Sequence, residues 1–309
     1  MVTGIDAAGE QFLAALNLSK ARTDLAQKQI SSGLKFENAS DAPDQVSYIL
    51  KLRADIARNT QISGNLSGVK TQVDMAEQAI ENAVQLVERA RTLATQGATG
   101  TQDAAGRAEI AQEADSIHQQ LVSLSATQIG GKFVFGGDAD QTAPYTLDTA
   151  NPDTGGGVVQ QTTAQATRQI EDPVGNTFPV DRTAQQIFDD QNPDGTPAAD
   201  NVFAAVNQLR VALQANDVTG IQNAQAALTA AGDSLNTQLS FYGAAQNRIA
   251  AAADLSSRLG LEYQSALSDK QDADLTEAIL ELNQGQVQQQ AALQSRAQMP
   301  RTSLFDFLR

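Results

Sequence analysis

Leu66, Val69, Val73, Ala76, Ile80, Ala83, Val87, Ala90 and Ala94 recur at alternating steps of three and four residues without an interruption. A second run does the same through Ile221, Ala224, Leu228, Ala231, Leu235, Gln238, Tyr242, Ala245, Ile249, Ala252, Ser256, Leu259 and Tyr263. A repeat of about 3.5 residues lays one stripe along a helix and cannot line one face of a strand, where side chains alternate every two. The first run therefore predicts a helix of roughly 50 residues, about 75 Å long. It opens at Asp41, a capping residue followed by Asp44, with Pro43 in the first turn where its missing N–H costs little. Gly97 and Gly100 end it, Asp103 caps a third stretch, and Ile110, Ala114, Ile117, Leu121 and Leu124 share a side of that stretch. So short a link requires the two helices to lie antiparallel.

The two ends of the chain carry the same alternation with weaker residues. Near the C-terminus it runs through Leu275, Ile279, Leu282, Gln286, Gln289 and Leu293. Near the N-terminus it runs through Phe12, Leu16, Ser19, Thr23, Ala26 and Ile30, widened by Leu18 and Leu25, on a helix expected from Ala7 to Ser32 and stopped by Gly33. A buried Leu or Ile contributes roughly 1.5 to 3 kcal/mol, and each seam offers few of them against an ordering cost of about 1 to 2 kcal/mol per residue. The expectation is that both ends are loosely ordered in the monomer and become ordered on packing against copies or related chains.

Between the helical runs the texture changes. Residues 131 to 200 hold six of the eight prolines and the triplet Gly155, Gly156 and Gly157. Lys132 to Phe135, Tyr145 to Leu147 and Thr177 to Val180 read as strands between turns. The expected fold is mainly α: an elongated bundle of long antiparallel coiled-coil helices with a small β-rich insert at its tip. Residues 1–40 and 270–309 form the terminal helices, 41–130 and 201–269 a helical rod domain, and 131–200 the insert.

Composition narrows function by exclusion. A net charge of −15 with no cluster of Lys or Arg argues against a nucleic-acid surface. Cysteine is absent, which removes disulfides and thiolate metal sites. The one histidine, His118, reads as a solvent-facing or rim residue, and no nucleophile, zinc-protease, phosphate-loop or dinucleotide motif occurs. The acid pairs Asp189 with Asp190 and Asp272 with Asp274 read as turn and cap residues rather than a glycosidase pair. No catalytic residue, metal or cofactor is expected. Triplets at Asn17, Asn38 and Asn65 match the N-glycosylation pattern by coincidence, two of them inside expected helices. There is neither a basic start leading into an apolar stretch nor a run of roughly 20 apolar residues. The expectation is a cytosolic chain, or one that leaves the cell without a cleaved signal.

Ile30-Ser31-Ser32-Gly33-Leu34-Lys35 followed by Ser40-Asp41-Ala42-Pro43 resembles the N-terminal region of bacterial flagellins and their hook-associated relatives. Asp272-Ala273-Asp274-Leu275-Thr276-Glu277-Ala278 is similar to the matching C-terminal segment. Gly131-Lys132-Phe133-Val134-Phe135-Gly136-Gly137, with Pro144-Tyr145 after it, resembles the hook-filament junction, or FlgL-type, branch of that superfamily, as does the ending Ser303-Leu304-Phe305-Asp306-Phe307-Leu308. Ala42 departs from the branch's usual second Asp, and filament flagellin stays open as the alternative. The resemblance implies a flagellin-like, non-enzymatic building block, exported through the flagellar type III route to the outside of the cell. It further implies a ring or helical homo-oligomer between hook and filament, with an adjoining hook-associated protein and flagellin as neighbours and a cytosolic export chaperone on the C-terminal helix. The residues expected to carry self-assembly are Phe12, Leu16, Leu25, Ile30, Leu275, Ile279, Leu282, Leu293, Leu304, Phe305, Phe307 and Leu308. A secreted enzyme with its acids in the insert and a cytosolic coiled-coil binding module are the readings from other classes.

Overall fold

The computed structural model describes residues 3–36, 38 and 42–297. Among the described residues, seven helices and six short strands follow one another: α1 (Thr3–Ser32), α2 (Pro43–Gly97), α3 (Ala104–Ser125), β1 (Gln128–Ile129), β2 (Lys132–Phe133), β3 (Tyr145–Leu147), β4 (Val158–Gln160), β5 (Gln169–Glu171), β6 (Thr177–Pro179), α4 (Ala184–Phe188), α5 (Val202–Gln214), α6 (Val218–Gln271) and α7 (Leu275–Ala297). The chain divides into two units, one of residues 59–258 and one of residues 1–58 with 259–309.

In the first unit the two long apolar stripes become the core. From Leu66 to Ala94 every stripe residue of α2 is buried except the half-buried Val69. On α6 the stripe is buried from Ile221 to Ser256, with Gln238 half-buried. The α2–α3 turn reverses the chain as its length demanded: Asp103 accepts a hydrogen bond from Gly106 N at 2.8 Å, and Arg89 pairs with Glu113 at 2.6 Å across the two helices. α6 returns along α2, with Asn59 donating to Ser256 O at 2.8 Å, Gln246 to Asp74 at 3.0 Å and Gln225 to Thr95 at 3.3 Å. The pause around Asn216 and Asp217 is the α5–α6 turn, where Asn216 takes a φ of 55°.

The strands form three antiparallel two-stranded ribbons, β1 with β2, β3 with β4 and β5 with β6. β3 and β6 fall where the sequence placed strands, whereas the Lys132–Phe135 strand stops at Phe133. β1, β4, β5 and α4 carry two to five residues each, too few to show a period. A two-stranded ribbon has little core of its own, and the buried rings of this region lean on a helix instead: Phe188 of α4 stacks on Phe203 of α5 at 5.6 Å, and Tyr145 of β3 lies 5.3 Å from the same ring.

His118 corrects the sequence reading. It is 3% exposed, and its Nε2 lies 2.7 Å from Gly156 O. The rim reading failed because the face of α3 opposite α2 is covered by the glycine loop before β4 and by α5. A Cβ on Gly156 would stand 3.2 Å from Phe203 Cβ, and one on Gly157, whose φ is 63°, would stand 2.9 Å from Pro152 O, so these two glycines ease the close approach of the loop to α5. Arg210 fixes the same loop from α5, donating to Pro152 O and to Asp153, each at 2.7 Å.

The second unit holds α1, the first turns of α2, the last turns of α6, and α7. α1 stops as predicted at Gly33, with φ 73° and its N–H donating to Gln29 O at 2.8 Å. Lys35 N then donates to Gln271 O at 2.7 Å and Ala273 N to Gly33 O at 2.9 Å, so the exit of α1 is tied to the entry of α7. Asp274 caps α7, accepting from Thr276 N at 2.9 Å and Glu277 N at 3.1 Å. The cap expected at Asp41 lies outside the described residues.

Candidate assembly surface

α1 and α7 pack antiparallel: Gly33 meets Ala273 at one end, and Thr23 meets Gly285 and Gln289 further along. The face α1 offers follows the predicted three-four line, while Leu18 and Leu25, which were expected to widen it, are exposed. Thr23 and Ala26 are buried, and Phe12, Leu16, Ser19 and Ile30 are half-buried. The face α7 offers follows its line only in part. Its enclosed residues are Ala278, Leu282, Gly285, Gln289 and Ala292, which keep the alternation of four and three; Leu282 and Gln289 belong to the anticipated line, whereas Ala278, Gly285 and Ala292 sit beside it. A Cβ on Gly285 would collide with the Thr23 methyl, so the glycine permits the close approach of the two helices. Gln289 Nε2 donates to Thr23 Oγ1 at 3.1 Å, which in turn donates to Lys20 O at 2.8 Å. Where Thr23 meets Gly285 and Gln289 the seam is thus made of small and polar side chains.

Because small residues took the inside, large ones are left outside. Leu275, Ile279 and Leu293, expected at the seam, are 47%, 49% and 58% exposed. They flank the contact face of α7, and Leu282 alone of the four named α7 residues is partly enclosed. Leu280 and Val287, seven residues apart and turned away from Ala278 and Gly285, are exposed as well. α1 carries a matching pair, Leu18 and Leu25, also seven apart, with Leu13 nearby in sequence. Leu280, Val287 and Leu13 escaped the sequence reading because they lie off the stripe on which it concentrated. Their signal was the heptad spacing of two aliphatic residues on an otherwise polar face. Rows of exposed aliphatic side chains of this kind are a candidate for a surface that meets another molecule. Leu304, Phe305, Phe307 and Leu308 lie outside the described residues.

Elsewhere the geometry is structural. Asp189 is buried and accepts from Asn201 at 2.7 Å and Gln191 at 2.8 Å, while Asp190 is exposed, so the two carboxylates do not work on a common point. Among the described residues no group of three or more His, Asp or Glu could hold a metal ion. Among the same residues no helix is long and apolar enough to cross a membrane.

Residues 7–140 match the family described as the bacterial flagellin N-terminal helical region. The chain is similar to flagellar hook-associated protein 3 of Escherichia coli (strain K12), at 24% identity over 96% of each chain. It is also 26% identical to a flagellin of Bacillus subtilis (strain 168), over 93% of each. The FlgL of Xanthomonas campestris superposes with a TM-score of 0.59 at 16% identity, covering 70% of this chain and 99% of that one. The fold is FlgL-like: a helical bundle with a small β-rich part.

Proposed function

We propose that the protein is a structural component of the bacterial flagellum that joins hook to filament by packing its terminal helices against neighbouring subunits. The observation that carries this reading is the inversion on α7, where Ala278, Gly285 and Gln289 face α1 while Leu275, Ile279, Leu280, Val287 and Leu293 are left uncovered. A helix pair with this division of residues is incomplete alone and has apolar surface to give to a second copy. The near full-length likeness to hook-associated protein 3 supports the junction role over that of filament flagellin. On this reading residues 1–40 and 270–309 form the assembly region, 41–130 and 201–269 the helical body, and 131–200 the part turned away from the assembly axis. The subunits form a ring or short helical layer outside the cell, adjoining another hook-associated protein and flagellin. A chaperone covering α7 before export would keep the same aliphatic rows from associating early. The protein carries out no catalysis.

Deleting the gene tests the assignment. Bare hooks with filament protein shed into the medium are the expected phenotype. Loss of the filament protein itself, with the junction intact, would instead identify the chain as flagellin, the reading that the Bacillus subtilis match keeps in view.

A further inference from the structure

The second unit carries an apolar groove apart from the seam of α1 with α7. It lies where α1 gives way to α2, next to the point at which Leu34 bridges Asp272, and Leu34, Phe36, Val46, Ile49 and Leu50 line it together with Arg53. Its volume of about 210 Å³ is that of a slot for one large side chain, below the roughly 300 Å³ at which small-molecule sites begin. Ile49 is 6% exposed and Leu50 58%, so the slot has a closed floor and an open rim. Among the described residues that line it, Arg53 is the one with a charge, and it gives one of its five N–H donors to Gln271 Oε1 at 3.0 Å. An aromatic ring with an acid beside it answers both features, bulk for the slot and a carboxylate for the guanidinium. Phe stands next to an acid at three places in the sequence. Phe36 lines the groove itself and Phe188 is fully buried, which leaves Leu304-Phe305-Asp306-Phe307-Leu308, outside the described residues.

We propose that this groove receives the Leu304–Leu308 segment of a second copy of the chain, with Phe305 in the slot and Asp306 at Arg53, a contact that rests on the reading that copies hold one another through their terminal segments. Chain length decides between a chain's own tail and that of a neighbour. Gln271 lines the groove, and α7 begins four residues later at Leu275. Over its 23 residues α7 carries the chain about 33 Å away along α1. Phe305 follows Ala297 by eight residues, and eight residues span at most about 29 Å even when fully extended. A chain's own Phe305 therefore falls short of its own groove, and its own Phe307 would need nearly all of the about 36 Å open to it. A second copy set about one helix length further along the α1–α7 axis meets no such shortfall, because its groove then stands beside the end of the first copy's α7.

Fluorescence anisotropy of a labelled synthetic peptide, Met299 to Arg309, titrated with the full-length chain tests the contact. Binding should saturate and weaken about tenfold with Leu50→Asp in the chain or with Phe305→Ala in the peptide. Arg53→Glu should weaken it about threefold, and a peptide carrying Asp306→Lys should recover that loss, which a merely sticky surface would not show. This charge exchange also decides the matter should Leu50→Asp not fold. No saturable binding, equal binding of a scrambled peptide, or no effect of either exchange would overturn the proposal. So would binding more than about tenfold tighter to a chain cut after Ala297, since the groove of the full-length chain would then be filled by its own tail. Failure here would leave the outward rows of α7, and assembly through them, untouched.

Discussion

Two buried side chains, Arg107 and His118, each tie separate segments together. Arg107 is 5% exposed, and its guanidinium donates to Gly97 O at 2.8 Å, to Thr99 O at 3.1 Å and to Asn216 Oδ1 at 2.5 Å. One cation thus ties the α2–α3 turn to the α5–α6 turn through oxygens that carry no full charge. Arg107→Ala would strand those acceptors at a cost of about 3 kcal/mol. A thermal melt should show a loss of roughly 6 to 12 °C, and Arg107→Lys should restore only part of it, since an ammonium cannot span the same fork. His118 makes a prediction about pH. Burial, with Arg210 adding to it, holds its imidazole below the ordinary 6.5 despite the bond to Gly156 O. The stability this neutral histidine supplies is present above about 6.5 and lost as pH falls below it. His118→Gln should abolish that acid-side slope, and equal slopes in the two proteins would contradict the account.

Elements explain why some of the chain was legible and some was not. A stripe of nine or thirteen residues at steps of three and four leaves no alternative, so α2 and α6 could be drawn from sequence and are found buried where the period says. The α7 register was misread because hydrophobic size was taken as the sign of the contact face. In a close antiparallel pair the inside goes to Gly285, Ala278 and Ala292, whose lack of bulk is the qualification. The ribbons escaped for a different reason: β4 and β5 are fixed by partner strands across a turn, β3 and β6, information that three residues do not hold. Gly285→Val tests the close approach. Overpacking against Thr23 should cost about 1 to 3 kcal/mol, seen as faster hydrogen exchange along α1 and α7, while the unit of residues 59–258 melts unchanged. Thr23→Ala in the same chain should recover part of the loss, because it removes the methyl that the new side chain meets.

At the scale of the whole molecule, the account divides labour between a body that folds on its own stripe and ends whose apolar surface is left for company. The most direct measurement is incorporation of Leu280→Asp with Val287→Asp, two positions on the outward row of α7 that make no contact with α1's seam. Each substitution puts a charge where a side chain worth roughly 1.5 to 3 kcal/mol when buried would meet a neighbour. The variant is predicted to keep the native circular dichroism and melting temperature, to be exported, and to fail to appear at the hook tip. Normal incorporation with attached filaments would contradict the claim that these rows are what the subunits use to hold one another.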